Sequence, residues 1–188
     1  MQTFEAMTLR RSIRKFRPEP ISGDVLTKIV EISRLYPTGG NLQPVRFAIV
    51  TKQELTDTLF ADLRWAMYLP DFTIETHERP TAYIILLRDA TVSKKCDYDI
   101  GAASTMVMLA ASNLGLASCP IGNFSKSKLS AYLSLPAFLQ PELVLALGYP
   151  AQESRVAPMG DSIRYWQDEQ GNFLVPKWSG EEITVFDM

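Results

Sequence analysis

Histidine and cysteine are scarce in this 188-residue chain, which has one histidine, His77, and two cysteines, Cys96 and Cys119. So few thiols exclude a disulfide scaffold, and none of these residues shows metal-ligand spacing, so no zinc site is expected. An excess of charge is missing too. The net charge is −2, whereas a surface that tracks nucleic-acid phosphates needs a clear basic surplus, so no such partner is expected. Long apolar runs are absent. The longest, near Ala102–Ala111, contains Ser104 and Thr105 and falls short of the roughly 20 residues that cross a bilayer. Neither a P-loop nor a dinucleotide-binding glycine pattern is present. The opening MQTFEAMTLRRS has no signal-peptide apolar core, so the expected setting is intracellular, a soluble cytoplasmic protein with no membrane partner. What remains is an ordinary soluble composition, 46% hydrophobic and 21% charged, of a length that suits one domain with a full core, spanning 1–188.

The densest chemistry is Arg10-Arg11-Ser12-Ile13-Arg14. Three guanidiniums and a hydroxyl lie within five positions. Guanidinium forks match phosphate geometry, and serine adds a short donor beside them. Such a cluster fits a small, doubly charged anion, if something else holds the rest of the ligand.

The chain in order supplies candidates. Thr3–Leu9 reads as a short helix, with Phe4, Met7 and Leu9 turned inward. Pro18 and Pro20 force an extended segment. Ser22 caps a helix from Gly23 to about Leu35, with Val25, Leu26, Ile29, Val30 and Ile32 as its apolar stripe. The loop Pro37-Thr38-Gly39-Gly40-Asn41-Leu42-Gln43 follows. Its glycines let backbone N–H groups approach a flat ligand, and Asn41 and Gln43 suit the edge of a heterocycle. Arg46–Thr51 and Thr81–Leu87 read as buried strands, with a helix over Gln53–Met67 and an irregular, flap-like Tyr68–Pro80 between them. Lys94 to Leu114 is the longest helix, apolar nearly all round, and Gly115 stops it. Strands at Leu116–Ile121 and Leu143–Leu147 enclose a helix over Lys126–Leu133. Ile163–Gln167 and Phe173–Pro176 suggest a hairpin. The tail, Lys177–Met188, has too little apolar content for a core of its own.

Five motifs fall in a telling order: Arg-Arg-Ser-Ile-Arg-Lys-Phe at Arg10–Phe16, Pro-Thr-Gly-Gly-Asn-Leu-Gln-Pro at Pro37–Pro44, Asp99-Ile100-Gly101-Ala102-Ala103, Gly115–Gly122, and Leu145–Pro150. Together they resemble the nitroreductase family of flavin enzymes, from about Phe4 to Pro150 and more loosely to the tail. The resemblance implies an α+β fold with a central, mostly antiparallel sheet flanked by helices. It also implies a homodimer in which residues 150–188 form a hairpin and an arm that wraps the partner, with FMN at the subunit boundary.

Carried over by position, Arg10, Ser12 and Arg14 hold the FMN phosphate, with Arg11 beside them. Pro37, Thr38, Gly39, Gly40 and Asn41 come from the other subunit to line the ring, with Gln43 near it. Pro120, Ile121 and Gly122 run along the ring, and the Gly122 backbone N–H is the candidate donor to flavin N5. Cys119, beside that segment, counts as part of the flavin site but reads as a buried structural thiol. The tail Pro176-Lys177-Trp178-Ser179-Gly180-Glu181-Glu182 resembles a family pattern in which Trp178 replaces an arginine. Lys177 is then the cation expected to complete the phosphate site, with Arg155 in reserve. Thr73, Thr76 and Arg64 are open candidates for the pyrimidine edge, and Asn123 stands where relatives carry glycine. The implied activity is FMN-dependent hydride and electron transfer in a ping-pong cycle, from NADH or NADPH to a nitroaromatic, quinone or enone. No catalytic side chain is required beyond the flavin. A flavin-storing or regulatory protein, or specialised flavin chemistry such as reductive dehalogenation, is the alternative.

Overall fold

The computed structural model of the chain describes residues 3–185. Its centre is β3 (Ala82–Asp89), whose run AYIILLRD is almost wholly buried. A strand apolar at successive positions must be covered on both faces, and here it is. Tyr83, Ile85 and Leu87 point to one core with Leu59 of α3 (Gln53–Asp62) and Leu129 of α5 (Lys126–Tyr132). Ala82, Ile84 and Leu86 point to the other, with Leu26 and Ile29 of α2 (Gly23–Ser33) and Ala103, Val107 and Ala111 of α4 (Asp97–Asn113).

The main sheet runs β1 (Phe16–Arg17), β5 (Leu139–Pro150), β3, β2 (Val45–Val50), with β4 (Ala117–Ile121) also paired to β5. Every pairing in it is antiparallel. The architecture is therefore the expected α+β one. β5 holds the sheet together, since it pairs with β1, β3 and β4. Gly148 of β5 meets β1 so closely that a Cβ would lie 2.7 Å from the wholly buried Phe16 ring, so a larger residue would force movement there.

A second, small sheet follows: β6 (Ser154–Pro158), β8 (Phe173–Lys177) and β7 (Trp166–Gln167). The expected hairpin is β7–β8. The parallel strand β6 was not foreseen, since its partner lies far along the chain and its own sequence has no alternation. Phe173 and Ala157 are buried. Beyond them α6 (Gly180–Ile183), with Ser179 and Glu182 as a reciprocal cap, is exposed throughout. The part of the expected arm at 186–188 lies outside the described residues.

Three local expectations need correction. The third helix ends at Asp62, not Met67. The chain leaves it with Arg64 donating its N–H to the Asn123 carbonyl at 3.2 Å, and Ala66 adopts a left-handed φ of 44°. β5 begins at Leu139, four residues before the expected strand, because Leu139, Gln140 and Pro141 continue the ladder beyond a register shift opposite Leu86/Leu87. In α1 (Thr3–Leu9), Phe4, Met7 and Leu9 do not turn inward. They are 82%, 50% and 59% exposed, and the helix meets α4 with Ala6 as its one buried residue. Within one chain α4 buries Ala103, Ser104, Val107 and Ala111, and its Tyr98 is 95% exposed. The Gly115 stop, at a φ of 76°, is as expected.

Candidate active site

The segment after α1 is pinned at both ends. Arg10 donates its backbone N–H to Ala6, Ile13 donates to Ser118 at 3.0 Å, and Ile13 and Phe16 are buried. Arg14 and Lys15 both donate backbone N–H groups to Gln152 Oε1, at 2.8 and 2.7 Å. Fixed this way, Arg10, Arg11, Ser12 and Arg14 line one cavity of about 240 Å³ together with Ser154, Val156, Tyr165, Val175 and Lys177.

Among the described residues, that lining holds four cations and no carboxylate. Burial and the adjacent Arg11 charge both push Arg10 below the usual guanidinium value. Arg11 Nε and Ser154 Oγ are buried without a hydrogen-bond partner. Buried donors without partners are costly, so the cavity is built for an acceptor-rich anion. The reserve cation lies elsewhere: Arg155 is exposed and paired with Glu153 at 2.6 Å.

A second cavity, about 350 Å³, adjoins the first. It is lined by Arg14, Arg64, Trp65, Ala66, Met67, Tyr165 and the run Cys119-Pro120-Ile121-Gly122-Asn123. Arg14 and Tyr165 belong to both cavities, so the two form one elongated site, cationic at one end and walled by the end of β4 at the other. Burial pushes the Cys119 thiol up to about 11, against a smaller opposing effect of Arg14. It is a protonated structural thiol at neutral pH. Of the three pyrimidine-edge candidates only Arg64 lines the cavity. Thr73 and Thr76 are exposed in the flap.

Residues 37–43 are not brought to these cavities within one chain. They precede β2, at the opposite end of the strand order from β1. Their backbone is specialised all the same. Gly40, Asn41 and Gln43 have φ of 58°, 56° and 51°, and Gln43 donates its side-chain amide to Asn41 Oδ1 at 3.1 Å.

Sequence reasoning missed Tyr165, Phe173, Gln152, Ser154 and Trp65. For Tyr165 and Phe173 the available signal was the aromatic content of the small hairpin.

A sequence profile described as the nitroreductase family matches residues 7–93 and 94–149. The chain belongs to the nitroreductase family. Among its relatives, an NADH dehydrogenase of Thermus thermophilus is 29% identical over 173 residues, covering 77% of this chain and 84% of that one. An FMN reductase [NAD(P)H] of Bacillus subtilis is 27% identical over 172 residues, covering 84% and 69%. The solved structure of an NADPH:FMN oxidoreductase from Vibrio harveyi, complexed with NAD+, superposes with a TM-score of 0.66 at 24% identity, over 84% of this chain and 72% of that one. At that identity the superposition shows that the nitroreductase fold is shared. Among the described residues, no helix is long and apolar enough to cross a membrane.

Proposed function

We infer that this nitroreductase-family chain is an NAD(P)H-linked flavin oxidoreductase with FMN as resident cofactor. The observation that carries this reading is the elongated site itself, a cavity with four cations and unpartnered donors joined through Arg14 to a cavity along Pro120–Asn123. A phosphate at one end and a flat heterocycle at the other fit that arrangement. When bound, FMN supplies hydride acceptance and donation, and the protein supplies binding, orientation and electrostatics.

In this reading Arg10, Arg11, Ser12, Arg14 and Lys177 hold the phosphate, and Pro120, Ile121 and Gly122 line the ring. Arg64 stands at the pyrimidine edge. The loop 37–43 reaches the ring from a partner chain in a homodimer. The exposed apolar side chains of α1, α2 and α4, including Phe4, Met7, Ile32 and Tyr98, favour such a partner. The acceptors are flat and electron-poor: nitroaromatics, quinones or enones.

An absorbance spectrum of the purified protein, followed by anaerobic addition of NADH and then NADPH, tests the reading. Flavin bands that bleach are expected. Bands that persist would point to a storage or regulatory protein. Arg10→Ala with Arg14→Ala should release FMN while far-UV circular dichroism stays unchanged, and flavin retained at normal affinity would refute the phosphate assignment.

A further inference from the structure

Arg14 stands at the junction of the two cavities, yet among the described residues no carboxylate holds its guanidinium. Its one side-chain hydrogen bond is a long one, 3.5 Å to the Ser12 carbonyl. Two aromatic rings hold it instead. The guanidinium carbon lies 4.9 Å from the Tyr165 ring centroid and 4.6 Å from that of Phe173. These rings are themselves 5.6 Å apart and inclined at 48°. Phe173 is fully buried, while Tyr165 is half-buried and lines both cavities beside Arg14.

A guanidinium held over aromatic rings rather than by a carboxylate keeps its N–H donors available, which an ion pair would consume. The same rings meet the flap. Tyr68 lies 5.0 Å from Tyr165, and Phe72 meets Phe173 edge-on at 5.4 Å. Lys15 bridges to Glu78 of the flap at 2.8 Å. Flap, C-terminal hairpin and anion-binding segment therefore converge on Arg14 and its two rings.

We propose that Tyr165 is a positioning residue for Arg14: with Phe173 behind it, its ring fixes the plane of the guanidinium where the two cavities meet, so that the in-plane donors face the ligand. This rests on the reading of the site as an FMN site. It makes the C-terminal hairpin a working part of that site, and it assigns the effect to the ring rather than to the phenol hydroxyl.

The test is the FMN dissociation constant, read from the fluorescence of flavin released on dilution of the holoprotein, with circular dichroism as a check on folding. Tyr165→Leu should weaken FMN binding about tenfold, the scale of a lost cation–π contact, and Tyr165→Phe should restore it. Arg14→Lys, which keeps the charge but not the planar stacking group, should resemble Tyr165→Leu. In an Arg14→Ala background, Tyr165→Leu should have little further effect. Should Tyr165→Leu fail to fold, the comparison of Arg14→Lys with wild type decides, and an unweakened Arg14→Lys overturns the proposal. FMN held as tightly by Tyr165→Leu as by wild type, or full additivity with Arg14→Ala, would overturn it and leave the flavin reading intact. A wild-type protein that binds no FMN would overturn both.

Discussion

At the scale of single residues, backbone space and burial set the clearest limits. Gly148→Ala would drive a methyl into Phe16, which is fully enclosed. Overpacking of this kind costs about 1–3 kcal/mol, so the melting temperature should fall by several degrees, measurable by calorimetry. Cys96 and Cys119 are both buried, and burial pushes each thiol up to about 11. At pH 8 only about one such thiol in a thousand is ionised. Both should resist an aromatic disulfide reagent in the folded protein and react at once in denaturant. Rapid labelling of the native chain would contradict the burial. Arg10, Arg11, Ser12 and Arg14 were legible in the sequence because they are contiguous and chemically unusual. Tyr165 and Phe173 were not, because they lie some 150 residues from Arg14 and reach it only through tertiary packing.

At the scale of elements, ion pairs fasten one end of the sheet. Glu142 of β5 takes Arg88 of β3 at 3.0 Å and also Lys126 of α5, while Asp89 takes Arg46 of β2 at 3.0 Å. Burial alone would raise Glu142, but the hydrogen bonds from Lys126 and Arg88 outweigh it and lower its pKa. Asp89 is lowered by the Thr91 hydroxyl and, to a smaller extent, by Arg46. A carboxylate depressed in the folded state stabilises it at every pH above the unfolded value of about 4, and that contribution fades as pH falls through the lower folded value. Glu142→Gln should therefore lower the melting temperature at pH 7, and its gap to wild type should narrow below about pH 4. A gap independent of pH would refute the pairing. Element types followed from local pattern where the pattern was strong, as in the apolar run of β3 and the Ser22 cap of α2, whose hydroxyl accepts from Val25. Helix α3 was overextended because Leu63 and Ala66 continue its apolar spacing. Both are buried, but in a non-helical turn held by the contact to Asn123. Spacing alone does not separate the two cases.

At the scale of the whole molecule, the proposed reading shares the site between two chains. Residues 37–43 sit at one end of the strand order and Arg10–Arg14 near the other, so one copy cannot enclose the ring with both. Diluting the holoprotein below its dimer dissociation constant should release FMN in step with the loss of dimer, followed by light scattering and flavin fluorescence. A monomer that keeps its flavin would refute the shared site. The order of elements was readable because each core face repeats a local pattern, whereas the fold class came from the family resemblance that the five motifs carry. Which apolar faces stay uncovered within one chain was not, since a sequence marks a surface as apolar without saying what covers it. The central role of β5 has a further consequence, for synthesis. Until residues 139–150 leave the ribosome, β1 and β4 have no partner strand in the sheet, and only β2 and β3 can pair. The residues before β5 thus emerge with β1, β4 and one edge of β3 unpaired, a state prone to aggregation. Chaperone demand during translation should therefore peak late and drop abruptly once Pro150 is clear of the exit tunnel.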